Sequence, residues 1–166
     1  MKRLSQALDL GHSMNSSETS IHVITAVNSW LLDRVAEDVF DHKVQPALLH
    51  AFLANTANLL MVAVADDEVI GMASGIAYVH PDKPLQLFVN EVGVSPRFQR
   101  RGVGKKLVTA LLRHGREVGC REASVATEVG NTAARGLYSA VGGKEDDERA
   151  VVYVYSLVEN QTAGGA

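Results

Sequence analysis

The apolar residues of this chain follow two different spacings, which together predict a domain of mixed strands and helices. Short apolar runs bounded by polar turns predict strands at residues 21–26, 59–65, 69–78, 85–94, 122–126 and 151–157. Apolar residues three and four apart predict helices that begin near residues 29, 46, 102 and 131. Both kinds of element in one chain of 166 residues indicate an α/β or α+β layered fold.

Residues that start helices or form turns bound several of these elements. Asn28 or Ser29 is suited to cap the first helix, whose apolar positions include Trp30 and Phe40. Residues 80–84 contain two prolines, which predicts a loop between two strands.

The two ends of the chain lack an apolar pattern. We therefore expect a flexible leader at residues 1–20, a single domain at residues 21–158 and a flexible tail at residues 159–166. No apolar run approaches the roughly 20 residues that a membrane span needs. No apolar segment follows the basic N-terminus as it does in a secretory signal. These features predict a cytoplasmic protein that binds no membrane.

Composition excludes several other classes of protein. Apolar residues make up 46% of the chain and charged residues 21%, which excludes disordered and coiled-coil proteins. The single cysteine, Cys120, excludes an intramolecular disulfide and a multi-cysteine zinc site, and we expect no metal. It precedes a strand and is predicted to be a core residue. A net charge of −3 leaves no overall basic surface for nucleic acid.

Charge is distributed unevenly along the chain. Residues 96–106 contain five cations and no acid, whereas residues 33–41 contain four acids and one cation, and residues 145–148 are all acidic. The basic segment is suited to bind an anion and the acidic segments to attract cations, although solvated charged faces have the same composition.

The basic segment lies where a strand gives way to a long helix. Gly102 and Gly104 open that helix, and its unpaired N–H groups and positive dipole end are suited to bind phosphate. The spacing matches neither the dinucleotide fingerprint nor the P-loop. On these residues alone, a tight strand-to-helix connection is an equally good interpretation.

Two motifs make the chain resemble a known family. Residues 99–104, Gln-Arg-Arg-Gly-Val-Gly, fit the Gln/Arg-x-x-Gly-x-Gly/Ala signature of the GNAT acetyl-CoA-dependent N-acetyltransferases. Residues 131–138 are similar to that family's second motif, Asn-x-x-Ala-x-x-Leu-Tyr. The resemblance extends over about residues 21–158. It implies a strongly bent mixed sheet of about six to seven strands with about four helices, and acetyl-CoA between strands that splay apart.

The resemblance also implies which residues contact acetyl-CoA, with its pyrophosphate on the backbone amides of residues 101–105. The full set of expected contacts is Val92, Gly93, Val94, Gln99, Arg100, Arg101, Gly102, Val103, Gly104, Lys105, Asn131, Ala134 and Tyr138. For Asn131, a helix cap is the alternative to a hydrogen bond with the pantetheine arm.

Glu91 is the candidate general base. A period of two along its strand places Glu91 on one face with Leu87 and Val89, and these apolar neighbours would raise the pKa of its carboxyl towards neutrality. A carboxylate of this kind is suited to remove a proton from an ammonium substrate. The resemblance adds an acidic residue at this point in several aminoglycoside-modifying members. The alternative is a bulged strand in which Glu91 forms a structural salt bridge.

Two further groups complete the expected chemistry. A backbone N–H near Val92 is the expected donor to the thioester oxygen, and the resemblance makes the Tyr138 hydroxyl a proton or hydrogen-bond donor to the CoA sulfur. Full proton transfer from a phenol to that thiolate is uphill by roughly 2 kcal/mol, so hydrogen bonding is equally credible. Tyr138 also lies on the apolar stripe of its helix, where a core role is the alternative.

The acceptor is expected to be a small-molecule amine. Residues 40–41, 78–84 and 90–94 resemble the class I aminoglycoside 3-N-acetyltransferases of the gentamicin type. The expected substrate contacts are Asp38, Phe40, Asp41, His80, Asp82, Glu91 and Glu128. Alternative acceptors are a protein or peptide amine or a polyamine, and a non-catalytic acetyl-CoA-binding module is a further alternative. A homodimer is also expected.

Overall fold

A computed structural model of the chain describes residues 18–147 and 150–157. Its described residues form five strands and three α-helices in the order β1 (Ser20–Val23), α1 (Pro46–Ala54), β2 (Asn58–Ala65), β3 (Glu68–His80), β4 (Lys83–Val94), α2 (Val103–Glu117), β5 (Glu122–Val125) and α3 (Thr132–Ala140). The strands form one sheet in the order β1-β2-β3-β4-β5. Neighbouring strands are antiparallel except β4 and β5, which are parallel.

The α+β class is confirmed, but the predicted six to seven strands and four helices are more than the described residues contain. Residues 151–157, predicted as a final strand, lie in no strand, and their apolar side chains are exposed. Among the described residues, no strand forms the backbone hydrogen bonds with residues 151–157 that a further strand would need. The predicted tail at residues 159–166 and residues 1–17 of the predicted leader lie outside the described residues, whereas Ser20 already belongs to β1.

The first predicted helix is also wrong, since only a short 3₁₀ turn, Ser29–Asp33, forms there. The following residues instead attach to β3: Val69 N–H donates to the Arg34 carbonyl and Ala36 N–H donates to the Val69 carbonyl, each at 2.9 Å. The Asn28 side chain accepts from the Thr25 N–H at 2.8 Å and does not cap a helix. The apolar spacing of this segment therefore reflects packing on the sheet.

The loop predicted at residues 80–84 is a tight hairpin. β3 extends to His80 and β4 begins at Lys83, and these two residues pair. Pro84 is tolerated because it lies at the very start of a strand.

The sheet separates two hydrophobic clusters. On one face, α2 packs through Leu107 and Leu111 against β2 and β3, and the predicted core residue Cys120 is buried there. On the other face, Val39 and its neighbours pack against Val62 and Met72. In the part of the chain that the structure describes, no helix combines the length and apolar character of a membrane span.

Candidate functional site

A gap opens in the sheet between β4 and β5. The two strands pair only along residues 86–89 and 122–125. Beyond Val89, β4 continues to Val94 with β3 on one side and no described strand on the other. Alternate backbone N–H and C=O groups of an antiparallel strand point away from its partner, so residues 90–94 present unpaired groups to this gap. Pairing along this side of β4 therefore stops at Val89, and the strong bend and splay that the resemblance implies stay predictions.

The N-terminus of α2 lies at one end of this gap. Gly102 caps it in the left-handed region at φ 79°, and the Lys106 N–H donates to the Gly102 carbonyl at 3.0 Å. The amides of residues 103–105 precede the first bond of this kind and have no helical partner. A Cβ on Gly104 would lie 3.3 Å from Leu137 Cδ2 and 3.8 Å from Val94 Cγ2, so this glycine lets α2 approach both β4 and α3.

The turn before α2 is held by its own hydrogen bonds. The Gln99 side-chain amide donates to the Val94 carbonyl at 3.0 Å, and the Ser95 N–H donates to the Ile70 carbonyl at the same distance. Arg100 adopts a φ of 60°, which only a few non-glycine residues do. Gln99, expected to contact the cofactor, therefore uses its side chain to shape the turn.

Most of the cations around this helix end form no ion pair with the described residues. Arg97 pairs with Glu68 at 3.3 Å, and Arg97 and Arg101 both lie over the Phe98 ring, about 5.5 Å and 5.6 Å from its centre. Arg100 and Lys105 are exposed and form no ion pair with the described residues. Unpartnered amides, a left-handed glycine with open space around it and unpaired cations together fit a phosphate or diphosphate group.

A bulge in β4 determines where Glu91 points. Val89 lies opposite Gly75 and Glu91 opposite Ser74, so Asn90 is an extra residue with no partner of its own. Leu87 and Val89 face α2, whereas Glu91 faces the other side of the sheet with Ser74. The predicted grouping of Glu91 with Leu87 and Val89 is therefore wrong, because the bulge reverses the alternation.

The surroundings of Glu91 still shift its ionisation in the predicted direction. Partial burial raises the pKa of the Glu91 carboxyl, and the negative charge of Asp41 raises it further. Among the described residues Glu91 forms no ion pair, so the structural salt bridge considered as an alternative is not present. A partly buried carboxylate with a raised pKa beside a gap is a candidate proton acceptor.

Asp41 also lines an acidic cleft of about 670 Å³ on the same side of the molecule. The carboxylates of this cleft come from Asp33, Glu37, Asp38 and Asp41. The predicted substrate residues Asp38, Phe40 and Asp41 are thus brought together. A neighbouring cleft of about 560 Å³ is lined by Trp30, whose helical spacing indicated core or a pocket wall, and by His50, which the sequence did not single out.

The structure does not bring the other predicted substrate residues to Glu91. His80 and Asp82 form a contact of 3.4 Å at the tip of the β3–β4 hairpin. Glu91 lies eight residues further along β4 than Lys83, or roughly 25 Å at the usual rise. Glu128 is exposed in the turn between β5 and α3, on the opposite side of the gap.

The residues of α3 divide between structure and candidate chemistry. The Asn131 side chain accepts from the Ala134 N–H at 3.0 Å, so it caps the helix and occupies that amide. Tyr138 is half-buried, burial raises the pKa of its phenol, and its hydroxyl forms no hydrogen bond with the described residues. It is therefore a neutral donor near neutral pH. The described residues contain no group of three or more side chains able to hold a metal ion.

Comparison with known proteins identifies a family and several relatives for this chain. A model described as acetyltransferase (GNAT) family matches residues 25–142. Aminoglycoside N(6')-acetyltransferase type 1 of Salmonella typhimurium is 35% identical over 96 residues, which are 55% of this chain and 66% of that protein. N-alpha-acetyltransferase RimI of Mycobacterium tuberculosis is 34% identical over 104 residues, 63% of each chain. The chain thus spans just under two thirds of these curated relatives.

A solved structure extends the similarity to the fold. AAC(6')-Iy in complex with the bisubstrate analogue CoA-S-monomethyl-acetylneamine superposes with a TM-score of 0.69 at 26% identity. The match covers 84% of this chain and 99% of that one.

Proposed function

Because this chain belongs to the GNAT family of N-acetyltransferases, we propose that it moves the acetyl group of acetyl-CoA to a primary amine of an aminoglycoside. The observation that supports this most strongly is the arrangement around one gap in the sheet. A cationic helix N-terminus lies at the end of the gap, and a carboxylate of raised pKa lies on β4 beside it.

The N-terminus of α2 would hold the coenzyme. The amides of Val103, Gly104 and Lys105 would donate to the diphosphate, and Arg100 and Lys105 would add charge around it. When bound, acetyl-CoA supplies the acetyl group as a reactive thioester. The unpaired backbone groups of residues 90–94 would bind the extended arm, as an added strand does.

Glu91 would prepare the amine for attack. An amine substrate is mostly ammonium at neutral pH and has no free electron pair. The Glu91 carboxylate would accept one of its protons, directly or through a water, so that the neutral nitrogen attacks the carbonyl carbon. A raised pKa makes the carboxylate a stronger base.

Two donors would stabilise the charge that develops during transfer. A backbone N–H on the gap side of β4, near Val92, would donate to the carbonyl oxygen. The Tyr138 hydroxyl would donate a hydrogen bond to the departing sulfur. Since burial raises the pKa of Tyr138, hydrogen bonding is favoured over full proton transfer.

The acidic cleft supports a polycationic acceptor. Its four carboxylates face only His42 and Lys43 among the other charged or titratable lining residues, so the cleft attracts several ammonium groups at once. Aminoglycosides carry such groups on adjacent rings. The motif resemblance favours the 3-amine as the position acetylated, whereas the Salmonella relative is named for the 6'-amine.

A protein amine is the second candidate acceptor, because the Mycobacterium tuberculosis relative is named as an N-alpha-acetyltransferase. A polyamine or a purely acetyl-CoA-binding role are further alternatives from the sequence. A cytoplasmic location also stays a prediction.

Purified protein supplied with acetyl-CoA separates these proposals. We would measure thiol release with kanamycin, gentamicin, spermidine and a peptide with a free N-terminus, and determine the acetylated position by NMR. Turnover with aminoglycosides supports the proposal. Turnover confined to the peptide or spermidine contradicts it, and coenzyme binding without any transfer indicates a binding module.

Glu91→Gln tests the proposed base in the same assay. We expect turnover to fall by about 10²-fold or more with little change in CoA affinity, since the amide cannot accept the proton. Unchanged turnover would remove Glu91 from the mechanism.

We also propose that the chain forms a homodimer. The outer edge of β5 pairs with no described strand, and the apolar side chains of residues 151–157 are exposed. An unpaired edge and an exposed apolar segment both favour association. Analytical ultracentrifugation tests this, and a monomer at every concentration would contradict it.

A further inference from the structure

Gly93 lies where the segment of residues 34–41, called here the crossing segment, passes over β4. It pairs with Met72 on β3, and both lie on the face of the sheet that Val39 covers. A Cβ added to Gly93 would collide with the backbone carbonyl oxygen of Val39 and crowd its carbonyl carbon. Backbone atoms cannot move aside by changing rotamer, so a side chain at residue 93 and the present path of the segment exclude each other.

The crossing segment is anchored independently of Gly93. Its start is bonded to β3 through the amide and carbonyl of Val69, and Ala36 and Val39 are buried. Asp38, at φ 58°, then turns the chain towards Asp41. A methyl group at residue 93 would therefore lift residues 39–41 and leave the attachment to Val69 in place.

The crossing also determines the charge around Glu91. Glu91 precedes Gly93 by two residues and shares its face, opposite the uncharged Ser74 of β3. The charge that acts on Glu91 comes from Asp41 of the crossing segment, whose other acids are Glu37 and Asp38. The distance between this segment and β4 thus controls how closely Asp41 and the acidic cleft approach Glu91.

We propose that Gly93 is a specificity-determining position: its missing side chain lets residues 39–41 rest on β4 and so holds the acidic acceptor cleft against Glu91. The kinetic effects expected of a change at Gly93 rest on the proposed function. The effects on packing and on the ionisation of Glu91 are independent of it. The helix α2, whose N-terminus would hold the diphosphate, packs on the opposite face of the sheet from residues 39–41.

Gly93→Ala tests the inference in the full-length protein. We expect KM for the aminoglycoside to rise about 10-fold or more, with smaller changes in kcat and in the affinity for CoA, whose arm would contact the backbone of β4. The Glu91 carboxyl, followed by ¹³C NMR, should titrate at lower pH because Asp41 has moved away. Gly136→Ala is the matched control, since its added methyl meets no atom within 4 Å.

Asp41→Asn tests whether Gly93 acts on Glu91 through the position of the Asp41 charge and not only through the stability of the fold. In the wild-type background it should lower the pH at which Glu91 titrates, whereas in the Gly93→Ala background its effect should be much smaller. Equal effects in both backgrounds would overturn the inference. So would a Gly93→Ala protein with wild-type acceptor KM and wild-type Glu91 titration.

Val39→Ala covers the case in which Gly93→Ala does not fold. It removes the contacts of the Val39 side chain with Val62 and Met72 and so loosens the same segment without a backbone collision. It should shift the acceptor KM and the Glu91 titration in the same directions as Gly93→Ala. Wild-type values of both readouts in Val39→Ala would then overturn the inference. If the wild-type protein acetylates no amine, the proposed function fails, and the Glu91 titration alone decides the role of Gly93.

Discussion

At the scale of the residue, the surroundings of Glu91 favour proton acceptance by its carboxylate but lower the folding stability of the protein. Burial and the charge of Asp41 raise the pKa of Glu91, which means that they disfavour its ionised form. Because the folded-state pKa lies above the value in the unfolded chain, folding stability falls as pH rises through the folded pKa. The proposed base is therefore held at a cost to the fold near neutral pH.

Glu91→Gln makes this cost measurable. The amide cannot ionise, so the variant should unfold at a higher temperature than the wild type above the folded pKa of Glu91. The difference should vanish below the ordinary carboxyl value of 4.5, where both side chains are neutral. Thermal unfolding of both proteins from about pH 4 to about pH 8 checks this. A variant less stable than the wild type at neutral pH would contradict the account.

At the scale of the element, the sequence indicated the bulge in β4 only as an alternative at Glu91 and did not predict the path of residues 34–41. Alternation along β4 holds on either side of Asn90, but one extra residue reverses the face of Glu91. The apolar residues of the segment are spaced as in a helix, but its backbone bonds to Val69 instead. Both outcomes depend on tertiary contacts, which no local pattern contains.

The long helix α2 was predictable because its local signals agree with each other. Its apolar stripe, including Leu107 and Leu111, is buried as expected, and Gly102 opens it in the left-handed conformation that glycine favours. The sequence also identified the cations that surround its first turn. It could not show that Gln99 would bond to the Val94 carbonyl.

Arg100 lies in the strained turn before α2, and its charge and its backbone can be tested separately. Arg100→Gly should weaken CoA binding through loss of the cation and raise the free energy of unfolding by up to about 1 kcal/mol, since glycine tolerates a φ of 60°. Arg100→Ala removes the same charge without relieving the backbone, so it should weaken binding equally and stabilise nothing. Denaturant unfolding and calorimetry measure the two effects. Equal stability of both variants would contradict the strain.

At the scale of the whole molecule, the sequence predicted the class of fold, the order of most elements and the family. It did so because two motifs lie at the correct separation in a chain whose apolar pattern alternates as that fold requires. The acceptor cleft was only partly predictable. Its acids are close together in sequence, but the effect of the Asp41 charge on Glu91 depends on where residues 39–41 cross β4. His80 and Asp82 resembled the family's pattern in sequence, yet the extended hairpin carries them away.

The central claim is that the amides at the start of α2 bind the diphosphate of the coenzyme. Isothermal titration of CoA and of pantetheine, which lacks the diphosphate, tests this claim most directly. We predict that one CoA binds per chain, that pantetheine binds at least about 10-fold more weakly, and that added salt reduces the difference. Equal affinities for CoA and pantetheine, or no binding of CoA at low ionic strength, would contradict the account.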